Sequence, residues 1–170
     1  MQRANRNKGQ AAVEVLAYAS FFLLAFVATM AVFFQMQSQE LSRAEHAYAQ
    51  EVAYQFADYV HTAFVAGPGF VQNVTLAPDI LGKPYTISVS QKVATSATSA
   101  AERETGFAYV DWQGPSGLST YSAPTITAAY AATESSCIKV DTTTSFIRMN
   151  CTKIEMRNIN GTIYIRGVLS

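Results

Sequence analysis

The chain has 170 residues, a formal net charge of zero and only 14% charged side chains. This charge balance provides no electrostatic attraction for nucleic-acid phosphates, so we expect no nucleic-acid partner. The near-neutral balance also argues against the strongly acidic surface of a salt-adapted protein. The length leaves room for one modest globular domain in addition to a long helix.

The N-terminal region consists of a short basic segment followed by a long apolar one. Residues 1–9 contain three basic side chains and no acid. Residues 15–34 contain only two polar side chains, Ser20 and Thr29, and are long enough to span a bilayer as a helix. By the positive-inside rule the basic segment stays in the cytoplasm. We therefore expect the chain beyond the apolar segment to lie outside the membrane.

One acid interrupts this apolar region. Glu14 is the only charged residue between Lys8 and Glu40. An ionised carboxylate inside hydrocarbon is costly, so Glu14 is a functional-site hypothesis. If the chain is cut after Gly9, then Gln10 becomes the first residue and Glu14 the fifth.

The segment Lys8-Gly9-Gln10, followed by Glu14, resembles the start of archaeal type IV pilin precursors with a class III signal peptide. The resemblance covers the leader and the first helix. It implies that a prepilin peptidase cuts between Gly9 and Gln10 on the cytoplasmic side. The apolar helix is then retained as the packing core of a filament, with Glu14 acting in assembly.

The resemblance also implies partners and a location. The partners are further copies of the chain, the prepilin peptidase and the pilus assembly machinery, and no cofactor is implied. The precursor lies in the cytoplasmic membrane with its N-terminus inside. The mature protein belongs to an extracellular surface filament used in adhesion.

The fold class expected is α+β, in which a long N-terminal hydrophobic helix precedes a small antiparallel β-sheet or sandwich-like domain. Residues 10–66 contain neither proline nor glycine and are predicted to form one helix, which Gly67-Pro68-Gly69 ends. Beyond residue 34 the helix becomes amphipathic. Its predicted apolar stripe consists of Leu41, Ala44, Tyr48, Val52, Phe56, Tyr59 and Ala63.

Residues 70–170 are predicted to form an extracellular β-rich headpiece. Strict alternation predicts a strand over 85–90, and an aromatic-rich segment predicts another over 107–112. The segments 91–105 and 113–136 are rich in small polar residues, and we expect loops or short edge strands there.

A hairpin is predicted around Asn160-Gly161, a typical two-residue turn. Its register places Glu155 opposite Arg166, a favourable cross-strand pair. The same register puts five apolar side chains on the other face: Ile154, Met156, Ile163, Ile165 and Leu169.

The two cysteines, Cys137 and Cys151, are expected to form a disulfide because the domain lies in an oxidising compartment. The alternative is a pair of buried free thiols. No Cys-x-x-Cys pair exists, and His46 and His61 are far from both cysteines in sequence, so we expect no metal site.

A turn near Thr144 would place the two cysteines opposite each other. That register also pairs Ile138 with Asn150 and Val140 with Arg148, which matches apolar with polar residues. A β-bulge is therefore expected between the strands.

Three N-glycosylation sequons begin at Asn73, Asn150 and Asn160. Asn73 follows a Gly-Pro-Gly break and is the best candidate. Asn150 is next to a cysteine, and Asn160-Gly161 has a competing explanation as the hairpin turn.

No catalytic constellation is recognisable, since there is no Gly-x-Ser-x-Gly elbow and no phosphate-binding glycine loop. We therefore expect that the chain is not an enzyme. The aromatic side chains are expected in the core.

Besides a pilus subunit, two alternatives remain open. One is a membrane-anchored extracellular binding module that does not polymerise, and the other is a Tad-type pilus accessory protein, which has a similar leader and helix start.

Overall fold

The computed structural model describes residues 3–90, 106–115, 117–127, 129–141 and 145–168. In this part of the chain one helix precedes nine strands, which confirms the α+β class. The elements are α1 (Arg3–Val65), β1 (Val71–Thr75), β2 (Tyr85–Ser90), β3 (Gly106–Gly114), β4 (Gly117–Thr125), β5 (Tyr130–Ala132), β6 (Ile138–Asp141), β7 (Phe146–Met149), β8 (Lys153–Ile159) and β9 (Thr162–Gly167).

The chain divides into two compact units, Met1–Leu41 and Ser42–Ser170. The first unit contains the apolar part of α1. The second unit contains the remainder of α1 together with all the described strands. The second part of the helix therefore belongs to the β-rich unit.

Within the second unit, α1 buries one face in a core that it shares with strands of both sheets. The buried side chains are Ala49, Val52, Ala53, Phe56, Ala57, Val60 and Ala63. Leu41 and Tyr48 of the predicted stripe are instead 50% and 47% exposed. Val52, Phe56 and Ala63 of the stripe are buried as predicted, and the buried face is rotated because Ala49, Ala53 and Ala57, which lie outside the stripe, are in the core as well.

The strands form two sheets. The five-stranded sheet has the order β4-β3-β2-β7-β6 and is antiparallel throughout. The four-stranded sheet has the order β1-β8-β9-β5, and β5 pairs with β9 in parallel. The four-stranded sheet is therefore mixed, whereas the sequence led us to expect only antiparallel pairs.

The predicted strand at 85–90 is confirmed as β2, and the predicted strand at 107–112 lies within β3. The segment 113–136 contains the expected edge strands, β5 and β4, but β4 (Gly117–Thr125) is a nine-residue strand paired with β3 rather than a short one. This strand is at the sheet edge, so it needs few apolar residues and its composition looks like that of a loop. The predicted loop at 91–105 lies outside the described residues.

The hairpin at Asn160-Gly161 is confirmed, with Ile159 opposite Thr162 and Glu155 opposite Arg166. Both turn residues have positive φ, 53° and 87°, as this tight turn requires. Ile154, Met156, Ile163 and Ile165 are buried together, whereas Leu169 lies outside the described residues.

The carboxylate of Glu155 accepts a hydrogen bond from Arg157, two residues along the same strand, at 2.5 Å. This bond lowers the pKa of Glu155, and Arg166 across the sheet adds a smaller attraction. Glu155 therefore faces Arg166 as expected, but its main partner is Arg157.

Asn158 connects this hairpin to the end of the helix. Its side chain is 1% exposed and donates to the carbonyl of Ala63 at 2.9 Å and to that of Phe64 at 3.3 Å. Its amide oxygen accepts from the backbone N–H of Gly161 at 2.9 Å. These bonds give partners to carbonyls of the last helical turn, where the carbonyl of Phe64 also accepts from the backbone N–H of Gly67 at 3.2 Å.

The disulfide between Cys137 and Cys151 is present, with the two Cα atoms 5.2 Å apart. It connects the residue before β6 to the segment between β7 and β8. At Gly167 a Cβ atom would lie 2.8 Å from the sulfur of Cys137 and 3.1 Å from that of Cys151. A larger residue there would have to displace the bridge.

The predicted register of the cysteine hairpin is wrong by one residue. Ile138 lies opposite Met149, and Val140 lies opposite Ile147. This shift places apolar residues across from one another and makes the expected bulge unnecessary between β6 and β7. The predicted turn residue, Thr144, lies outside the described residues.

One acid is buried in the second unit. Glu45 on α1 is 1% exposed, and its carboxylate accepts from Nζ of Lys83 at 2.5 Å and from the indole N–H of Trp112 at 3.4 Å. The ring of His46 contacts the edge of Trp112 at a centroid distance of 5.0 Å. This group connects the helix to β3 and to the loop before β2.

We expect the disulfide to stabilise the second unit. It closes a loop between residues 14 apart in sequence, which contributes about 3 kcal/mol in the chain-entropy model. In a Cys137→Ser/Cys151→Ser variant of the full chain in detergent micelles, the free energy of unfolding should fall by this amount. Urea denaturation, monitored by the fluorescence of buried Trp112, measures it. Reductant should destabilise the parent protein and leave the variant unchanged. An unchanged parent protein in reductant would contradict the expectation.

We also expect Lys83→Ala to destabilise the protein more than Glu45→Gln does. Removing the lysine leaves a carboxylate that is 1% exposed with a single long hydrogen bond, whereas removing the acid leaves an ammonium that is 31% exposed and can be hydrated. A buried charge without its partner costs more free energy than a hydrated one. We therefore expect the losses in the free energy of unfolding of the two variants to differ by about 2 kcal/mol. Urea denaturation of both variants measures the difference, and equal losses or the reverse order would contradict it.

Candidate functional site

The first unit presents a helix surface that is apolar and exposed on every side. The large apolar side chains of residues 13–36 are between 42% and 69% exposed. They are Val13, Val15, Leu16, Tyr18, Phe21, Phe22, Leu23, Leu24, Phe26, Val27, Met30, Val32, Phe33, Phe34 and Met36. We call residues 12–36 the apolar helix segment.

The apolar helix segment is long and apolar enough to cross a membrane. An 18-residue window within it has a mean hydropathy of 2.2, and none of that window is buried. In the described part of the chain this is the one helix that meets the length and composition test for a membrane span. The finding fits a membrane anchor and agrees with the membrane location expected from the sequence.

The serine and threonine hydroxyls of the segment are satisfied within the helix. The hydroxyl of Ser20 donates to the carbonyl of Leu16 at 2.8 Å, and that of Thr29 donates to the carbonyl of Ala25 at 2.8 Å. Such bonds to the preceding turn leave no hydroxyl hydrogen needing a partner in an apolar surrounding. The surface is therefore compatible with lipid or with other apolar helices around its whole circumference.

Glu14 lies near the start of this segment between two exposed valines, Val13 and Val15, each 68% exposed. Its side chain is exposed in the single chain. The predicted cleavage residues Gly9 and Gln10 lie within α1, but side chains are described only from Ala12 onwards. The cleavage site thus remains a prediction.

All three sequon asparagines are exposed. Asn73 lies in β1, at the edge of the four-stranded sheet and opposite Glu155. Asn150 directly precedes the disulfide-bonded Cys151, and Asn160 has a φ of 53° in the hairpin turn. Glycosylation at these positions remains a prediction.

Two shallow cavities lie on the outer faces of the two sheets. The cavity on the five-stranded sheet is lined by Ser88, Tyr109, Asp111, Phe146 and Arg148. The cavity on the four-stranded sheet is lined by Thr133, Glu155, Arg157, Ile159, Tyr164, Ile165 and Arg166. Tyr109 and Phe146 show that some aromatic residues lie outside the core, which the sequence did not predict.

His46 and His61 are both exposed on α1. Within the described ranges, no group of three or more histidine, cysteine, aspartate or glutamate side chains could hold a metal ion.

Comparison of the chain with protein-family models, with curated proteins and with solved structures finds no match.

We expect the apolar helix segment to hold the protein in the membrane. The full chain should remain in the membrane fraction after alkaline carbonate extraction, because the large apolar side chains of this segment are exposed and require apolar surroundings. A chain shortened to residues 42–170 keeps the compact second unit and should move to the supernatant. Immunoblotting of both fractions measures this. Membrane retention of the short chain, or release of the full one, would contradict the expectation.

Proposed function

We propose that the chain is a structural subunit of an archaeal type IV pilus-like surface filament that serves adhesion. The observation that carries the proposal is the apolar helix segment, whose side chains are exposed around the full circumference of the helix. A helix that is apolar on all sides requires apolar surroundings on all sides. Lipid provides them in the precursor, and packed copies of the same segment provide them in a filament.

Glu14 supplies the second support. Packing of the segment removes its carboxylate from water, and a desolvated charge costs several kcal/mol unless an opposite charge offsets it. Cleavage between Gly9 and Gln10 creates an amine at the new N-terminus. In the proposal this amine, on a neighbouring subunit, pairs with Glu14. Because the amine exists only after cleavage, processing is coupled to polymerisation.

The features of the second unit support an extracellular location. The bridge between Cys137 and Cys151 is typical of oxidising compartments. The three sequon asparagines are all exposed, as acceptors on an extracellular surface must be. In the proposal, this unit makes the adhesive contacts of the filament, and the prepilin peptidase and the assembly machinery are its processing partners.

Substitution of Glu14 tests the proposal. Glu14→Gln and Glu14→Ala should leave the protein in the membrane and cleaved, while filaments in the sheared surface fraction fall at least tenfold. Glu51→Gln, which removes an exposed acid from the second part of the same helix, is the matched control and should leave filament yield unchanged. The measurement is immunoblotting of membrane and sheared fractions, with the mass of the mature chain determined in each.

Two outcomes separate this function from the alternatives. Normal filament yield from Glu14→Ala would show that the acid has no role in assembly. A parent protein that stays wholly in the membrane fraction would favour an anchored binding or accessory module that does not polymerise.

A further inference from the structure

The outer face of the five-stranded sheet, which points away from the core, carries an unusual set of side chains. Register places Ser88 of β2 between Tyr109 of β3 and Arg148 of β7. Lys139 of β6 lies directly opposite Arg148. Four neighbouring strands thus contribute one row that runs from an aromatic ring through a hydroxyl to two cations.

This face contains a cavity of about 210 Å³. The rings of Tyr109 and Phe146 contact each other edge to face at a centroid distance of 5.9 Å. Ser88 is only 6% exposed and lies at the base of the cavity. Phe107, which is 44% exposed, extends the aromatic surface at 6.3 Å from Tyr109.

The cavity also holds an oriented carboxylate. Asp111 accepts from the hydroxyl of Thr120 at 2.6 Å and from that of Ser88 at 3.5 Å. A carboxylate has about four acceptor positions, so these two bonds leave capacity for hydroxyl groups of a ligand. The hydroxyls of Thr120 and Ser88 fix the orientation of the Asp111 carboxylate.

The like charges of Arg148 and Lys139 lie opposite each other on this face. Arg148 and Lys139 are both exposed, and like charges directly opposite each other destabilise a sheet. In the described part of the chain, neither side chain forms a hydrogen bond or an ion pair. Asp141 lies beyond them at the sheet edge, opposite Phe146. An anion bound between the two cations would remove their repulsion.

We propose that this cavity binds an acidic saccharide, a sugar unit that carries a carboxylate. The apolar face of the sugar covers Tyr109 and Phe146, its hydroxyls donate to Asp111, and its carboxylate accepts from Arg148 with Lys139 adjacent. The cavity is smaller than the roughly 300 Å³ of typical small-molecule pockets, so it holds a single unit of a longer chain. The proposal does not depend on filament formation.

The charge distribution favours this ligand over a nucleic acid. The whole chain has no net positive charge to attract the run of phosphates in a nucleic-acid backbone, whereas one uronate carboxylate needs only the two cations of this face. A uronate unit uses both signs of charge in the site, since it offers hydroxyl donors to the carboxylate and an acid to the guanidinium.

Titration of the full chain in detergent micelles with trigalacturonate tests the proposal, with its methyl ester as the uncharged control. We expect saturable binding by calorimetry that is at least tenfold weaker for the ester. Arg148→Gln should weaken acid binding about tenfold and leave ester binding unchanged. Tyr109→Ala and Asp111→Asn should weaken both. Arg157→Gln, on the outer face of the other sheet, is the matched control and should change neither.

Amide NMR shifts of the parent protein give a readout that does not depend on any variant. Shifts caused by trigalacturonate should be confined to β2, β3, β6 and β7. Absence of saturable binding, equal binding of acid and ester, or shifts confined to the four-stranded sheet would overturn the proposal. Displacement of the acid by an equimolar oligothymidylate would also overturn it, in favour of nucleic acid.

Discussion

Helix α1 carries apolar surface that must be covered, on all sides in its first part and on one face in its second part. Over residues 12–36 the apolar side chains surround the whole helix, and the large ones are between 42% and 69% exposed. Over residues 49–63 the same helix is apolar on one face only, and strands of both sheets bury that face. The proposed function is based on the first part of the helix. Strands of the second unit give the second part its apolar surroundings, whereas lipid or other copies of the helix must give them to the first part.

Within the second unit, a few polar contacts fix the helix against the sheets while apolar burial supplies most of the stability. Asn158 bonds the last helical carbonyls and the hairpin turn at the same time. Nearer the start of the unit, Glu45 bonds Lys83 and Trp112. These contacts lie near the two ends of the buried helix face. They specify where the helix lies, since an apolar face alone would tolerate sliding along the sheet.

The sequence predicted features that are encoded locally. The absence of glycine and proline predicted the helix, and Asn160-Gly161 predicted a hairpin whose two positive φ angles few other residue pairs tolerate. Features that depend on distant partners were missed. Nothing near Glu45 in the sequence indicates that a lysine 38 residues away would bury its carboxylate. Likewise, alternation in β3 separates two faces but does not show that Tyr109 is on the outer one. Glu14, the candidate assembly residue, could be recognised from the sequence because the apolar residues around it are its neighbours in the chain.

Electron cryomicroscopy of filaments sheared from the surface of cells that produce the chain tests whether the apolar helix segment forms a filament core. We expect an axis of packed helices formed by residues 12–36, with each chain beginning at Gln10 and with Glu14 within ion-pair distance of a neighbouring N-terminal amine. Filaments that lack these helices at the axis would contradict the proposed function. So would cells in which the protein is confined to the membrane as single chains.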